Sequence, residues 1–97
     1  MAIKFNYTQT VQQAKLLDEL AADMQSGAVK KLDEICGNLE AAWTGDAGKA
    51  YCKQMRLAQT DFQKKAKYLR DTAEFLRSAA KKMQQADAQA KAAVKKI

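Results

Sequence analysis

Histidine and proline are absent from this 97-residue chain, cysteine occurs twice and glycine only four times. Without histidine, no Ser-His or Cys-His pair can be assembled, and acid–base chemistry would fall to carboxylates or lysines in unusual surroundings. Two cysteines cannot complete a four-ligand zinc site. No segment alternates like a strand, so no glycine-rich phosphate loop follows one. These absences argue against an enzyme and against any metal or cofactor. No apolar run reaches the length of a signal-peptide core or a membrane span. Taken alone, that describes a cytoplasmic chain, unless a signal located elsewhere exports it.

What remains is rich in Ala, Lys, Gln, Leu and Glu, all good helix formers, with no proline to interrupt them. The one real break is Trp43-Thr44-Gly45, almost halfway along. An all-α antiparallel hairpin is therefore expected: helix 1 over about 8–42, a turn at 43–46 and helix 2 over about 47–90, with a C-terminal tail over 83–97. Helix 1 should start between Asn6 and Thr10, and Thr10 with Gln13 has capping-box spacing. Its stripe reads Val11, Ala14, Leu17, Ala21, Met24, Ala28, Leu32, Ile35, Leu39, Ala42, in steps of three and four. Ser26-Gly27 is a soft spot that either bends the helix or admits a bulky neighbour. Asp46 suits the N-cap of helix 2, where its charge meets the positive end of the dipole. The second stripe runs Ala47, Ala50, Tyr51, Met55, Ala58, Phe62, Ala66, Leu69, Ala73, Leu76, Ala80, Met83. Asp87 then falls on an apolar position before Ala90, Val94 and Ile97 resume the pattern.

Folding the chain at 44–45 pairs positions whose numbers sum to about 88. This register sets Gly27 by Phe62 and Gly37 by Tyr51, small against large. It leaves the chain beyond about residue 80 overhanging the hairpin. It also brings Cys36 level with Cys52, where a disulfide and two small free thiols are the alternative readings. Gly45 should supply a positive φ or a close approach at the corner, and Trp43 should plug it. Charge divides between the arms: residues 1–45 hold four Lys and six Asp or Glu, net −2, and residues 46–97 are net +8. Opposite signs favour packing arm on arm, modestly. A hairpin this small exposes much surface for its volume, so a partner chain is expected.

The segment Leu39-Glu40-Ala41-Ala42-Trp43-Thr44-Gly45-Asp46-Ala47-Gly48-Lys49-Ala50-Tyr51 resembles the centre of the WXG-hundred family, the early-secretory-antigen-like substrates of type VII secretion systems. The likeness covers essentially the whole chain, including a Tyr eight positions after the Trp. It implies a hairpin that dimerises antiparallel into a four-helix bundle. It also implies export from the cytoplasm to the outside, without a cleaved leader, by an ATPase-driven membrane machine. A homodimer is the default; a heterodimer with a related small helical protein or a larger type VII substrate is the alternative. The family's C-terminal export pattern is matched by Met83, Asp87, Ala90 and Val94. Met83 stands where the more widely quoted form has Tyr, and Tyr68, the nearest Tyr, has Thr72 four residues on. The plain alternative is that Met83 ends the core and Asp87 is merely solvated.

The resemblance also gives the Trp43–Gly45 turn a share in engaging the secretion machinery or a partner. An effector, an adaptor and a companion of a toxin all fit the sequence. A different class of function rests on the lysine-rich second arm, whose basic surface suits nucleic acid or an anionic membrane. Against it, the basic residues surround much of the helix and no base-stacking aromatics accompany them.

Overall fold

A computed structural model describes residues 5–95. Helix α1 covers Tyr7–Asp23, a π-helical segment covers Met24–Val29, α2 covers Lys30–Ala42 and α3 covers Asp46–Lys95. The first three form one arm and α3 the other, as the hairpin reading required. No described residue lies in a strand. The 50 residues of α3 correspond to about 75 Å of helix, and the molecule measures 79 × 20 × 15 Å.

Asn6 starts α1: its side-chain oxygen accepts from the Gln9 N–H at 3.0 Å. The Thr10–Gln13 capping box does not form. Thr10 already lies inside the first turn, where its hydroxyl donates to the Asn6 carbonyl at 2.8 Å. At the other arm, Lys49 N–H donates to the Gly45 carbonyl at 3.2 Å. Gly45, not Asp46, is therefore the capping residue. Asp46 enters the first turn, and its charge still complements the helix dipole.

The buried residues are small. Ala14, Ala21, Val29 and Cys36 of the first arm meet Cys52, Ala66, Ala73 and Ala80 of the second. On α3 they recur every seven residues, with Gln59 filling the level between Cys52 and Ala66. On the first arm the steps are seven, eight and seven. The eight-residue step spans the π-helical segment, whose wider turn takes up one extra residue and returns the seam to the interface. Ser26, whose hydroxyl donates to the Ala22 carbonyl at 2.9 Å, lies within that widened turn. The soft spot at Ser26-Gly27 is thus a change of helix type.

This slip corrects the first stripe. Past Ala28, burial passes to Val29 and Cys36, while Ile35 and Ala42 are exposed. The glycine-to-aromatic pairings do not form either: a Cβ at Gly27 or Gly37 would have nothing within 4 Å. The register itself is as expected. Cys36 meets Cys52, and the Gln59 side-chain amide donates to the Val29 carbonyl at 3.0 Å. Two ion pairs join acidic first arm to basic second, Asp33 with Arg56 and Asp18 with Arg77. The Arg56 guanidinium holds the Asp33 carboxyl below its usual range, chiefly through their hydrogen bond. Both pairs are solvent-facing and contribute little to stability.

Beside the small seam runs a second row of larger side chains: Leu17, Met24, Leu32 and Leu39 on the first arm, Met55, Phe62, Leu69 and Leu76 on the second. All eight are half-buried. Each sits three residues after a seam position. In antiparallel helices that offset turns both rows toward the same side of the hairpin. Leu20 and Ile35, exposed, extend that side. The seam therefore closes the arms on each other, while most of the bulky apolar surface is gathered on one open face.

Candidate functional site

The corner is built by four residues. Trp43 ends α2: its N–H still donates to the Leu39 carbonyl at 2.8 Å, but its backbone leaves the helix at φ −132°, ψ 88°. Gly45 has φ +116°, a conformation that residues with a Cβ rarely adopt. Gly48, in the first turn of α3, is buried because the Trp43 carbonyl lies on it. A Cβ there would sit 2.1 Å from that oxygen. Tyr51, one turn on, stacks against the Trp43 ring, with centroids 5.1 Å apart and planes inclined by 30°.

The stack locates both aromatics. Tyr51 leans back on Trp43 and leaves Gly37 unopposed. Trp43 is 46% exposed, so it braces the corner while offering part of its ring to solvent. With Glu40, Thr44, Gly45 and Lys49 it lines an open cleft of about 500 Å³. Sequence reasoning passed over Gly48. The available signal was a third glycine-like break of propensity within six residues of Trp43, inside a segment otherwise made of helix formers.

A Gly45→Val variant tests the corner's backbone. Forcing a β-branched residue to a positive φ costs about 2 kcal/mol, and the expected result is a lower thermal midpoint with a rearranged turn. An unchanged melting curve would remove the φ argument.

The second group of residues lies far from the corner. Every described residue of α3 beyond Ala80, from Lys81 to Lys95, is exposed. Helix 2 thus continues past the expected end at 90. Met83, Asp87, Ala90 and Val94 share one face of this overhang by their spacing. Val94 is 71% exposed, and with Ala90, Lys91 and Lys95 it lines a shallow apolar depression of about 360 Å³. Among the described residues no ion pair engages Asp87. Lys96 and Ile97, the end of the tail, lie outside the described residues.

The seam continues through these positions. Asp87 and Val94 fall at seven-residue intervals after Ala80, and Ala90 at seven after Met83. The overhang therefore prolongs the hairpin's contact pattern beyond the described residues of the first arm. No cluster of potential metal ligands occurs among the described residues, and none of the described helices is long and apolar enough to cross a membrane.

Two helical arms around a Trp-x-Gly corner are what a family comparison detects. The model of the family described as "WXG100: Proteins of 100 residues with WXG" matches residues 2–88. The chain belongs to the WXG100 family. Its members are small, helical, non-enzymatic substrates of type VII secretion. The matched span takes in the corner, Met83 and Asp87, and stops short of Ala90 and Val94. Comparisons with curated proteins and with solved structures returned no match.

Proposed function

We propose that this WXG100 protein is carried out of the bacterial cell by a type VII secretion system and acts by binding other proteins, as an effector or as an adaptor for another substrate. The observation that carries this reading is the overhang. Fifteen residues of α3, Lys81 to Lys95, extend past the last buried level of the seam at Ala80, every one of them exposed. Met83, Asp87, Ala90 and Val94 line one side of that free helix. A carboxylate set among apolar groups on a solvated helix suits a groove that supplies a cationic or hydrogen-bonding partner. The ATPase of the secretion machine is the expected owner of such a groove.

The open apolar face supports a second element of the proposal, association of two copies into a four-helix bundle. Eight large side chains held half in solvent make a contiguous stripe, and such stripes mark interaction surfaces. A second copy supplies an identical stripe, so a two-fold arrangement satisfies both at once. The Trp43 edge, at the far end of the hairpin from the tail, is then a separate contact point for the machinery or for a partner.

Export is tested by Asp87→Ala, a change on an exposed helix that leaves the fold intact. With parent and variant expressed equally, the expected result is at least a tenfold drop of the variant in the culture medium and its retention in the cells. Equal secretion would show that the tail face is not the address.

A further inference from the structure

Cys36 and Cys52 are the chain's two thiols, and the reading above gives them no work. Both belong to the small-residue seam, 0% and 4% exposed, at the last level before the corner. Each sulfur rests on the other's main chain. Cys36 Sγ lies 3.8 Å from the Cys52 carbonyl oxygen, and Cys52 Sγ lies 3.5 Å from that of Cys36. That reciprocity holds only if the two backbones approach closely with a single layer of Cβ atoms between them. At the next level the Gln59 amide reaches the Val29 carbonyl across the seam, and beyond it the buried Ala21, Ala66, Ala14 and Ala73 allow the helices an approach at the short end of the usual interaxial range of about 8–10 Å. A disulfide needs Cα atoms about 4.4–6.8 Å apart. Facing positions in a tight seam are where two helices meet that condition, and rotation about each Cα–Cβ bond is the motion that turns sulfur toward sulfur.

We propose that Cys36 and Cys52 form a modification site, an intrachain disulfide that ties the two arms together around the Trp43–Gly45 corner when the protein meets an oxidising milieu. The oxidant is a low-molecular-weight disulfide such as oxidised glutathione. One cysteine, as thiolate, attacks it, forming a mixed disulfide and releasing one thiol. The other cysteine loses its proton to solvent, attacks the protein-bound sulfur and expels the second thiol. Two protein thiols become one disulfide, and the oxidant is reduced to two thiols.

Burial, and secondarily the neighbouring Cys36, push the Cys52 thiol above its ordinary range. The closed seam therefore keeps the pair inert, and reaction proceeds through opening of the corner or during folding. A reducing cytosol leaves the thiols free, as they are in this structure. The proposal rests on the export reading only for where oxidation takes place. Its effect is to make the corner permanent outside the cell: the closed loop contains Trp43, Thr44 and Gly45, so the turn survives even if the arms part further along.

The test uses the full chain, unfolded in denaturant with reductant, then refolded in excess oxidised glutathione and treated with a thiol-alkylating reagent. The expected intact mass is that of one chain less two hydrogens, with no alkyl group added. Trypsin without reductant should then yield Leu32–Lys49 joined to Ala50–Lys53. The oxidised protein should keep the helical circular-dichroism signal and the oligomeric state of the reduced one. Persisting alkylatable thiols, glutathione left on either cysteine, a bond between two chains, or loss of helicity on oxidation would each overturn the proposal. None of these readouts depends on secretion, so this inference and the Asp87 result fail independently.

Discussion

A Gly48→Ala variant loses about 3 kcal/mol of stability, a large part of the roughly 5–15 kcal/mol that holds a small domain folded. The added methyl would lie 2.1 Å from the Trp43 carbonyl oxygen, and the atom it meets is backbone. No side-chain rotation relieves that contact. Either α3 retreats from the corner, or the peptide after Trp43 turns and takes the Trp43–Tyr51 stack apart. Gly37→Ala is the matched control. Nothing lies within 4 Å of its added methyl, and alanine is the better helix former, so that variant gains about 0.5–1 kcal/mol. Thermal melts followed by circular dichroism separate the two. A Gly48→Ala midpoint equal to the parent's would mean that the Trp43 carbonyl does not press on Gly48.

The second large effect concerns the open face. Leu69 sits mid-way along its row, half-buried in the single hairpin, and a second copy would bury it. Leu69→Glu places a carboxylate where an apolar contact belongs. The expected result is a shift from dimer to single chains in light scattering, with association weakened at least 100-fold, or about 2.7 kcal/mol. Leu57→Glu serves as the comparison. Leu57 is 55% exposed and points to the opposite side of α3, so this change leaves association as it was. A parent that scatters as one chain, or a Leu57→Glu variant as disrupted as Leu69→Glu, would refute the assignment of the face.

Much of this architecture was legible before any coordinates. The Trp-x-Gly break, the absence of proline and the three-four spacing define two arms and their register. Cys36 with Cys52 and Val29 with Gln59 obey the sum near 88. The overhang followed from unequal arm lengths alone. What sequence periodicity could not resolve is the phase of the first arm after Ala28. Both Ile35 and Cys36 continue a three-four pattern, and on hydrophobicity Ile35 is the natural choice. The seam is decided by closeness of approach: Cys52 stands opposite at short range, which demands something small, so Cys36 goes in and Ile35 goes to the rim. The π-helical turn is the backbone's answer to that demand.

The corner was half legible for a similar reason. Gly45 follows from the need for a turn, and its φ of +116° agrees. Gly48 has an ordinary helical conformation, so no turn rule singles it out; only the position of the Trp43 carbonyl explains it. Tyr51 was visible as an aromatic eight residues after the Trp. Its choice of partner depended on the ring's route back along the first turn of α3, which spacing does not specify. The tail residues were found from a pattern of four positions, and their common exposure is consistent with the role proposed for them.

The modest size of every side chain between the arms has a thermodynamic corollary. A lone hairpin possesses almost no private interior, since its bulkiest hydrocarbon sits on the flank. With a second copy pressed against that flank, as proposed, each molecule's hold on its shape depends on the contact, and dilution should act on it much as warming does.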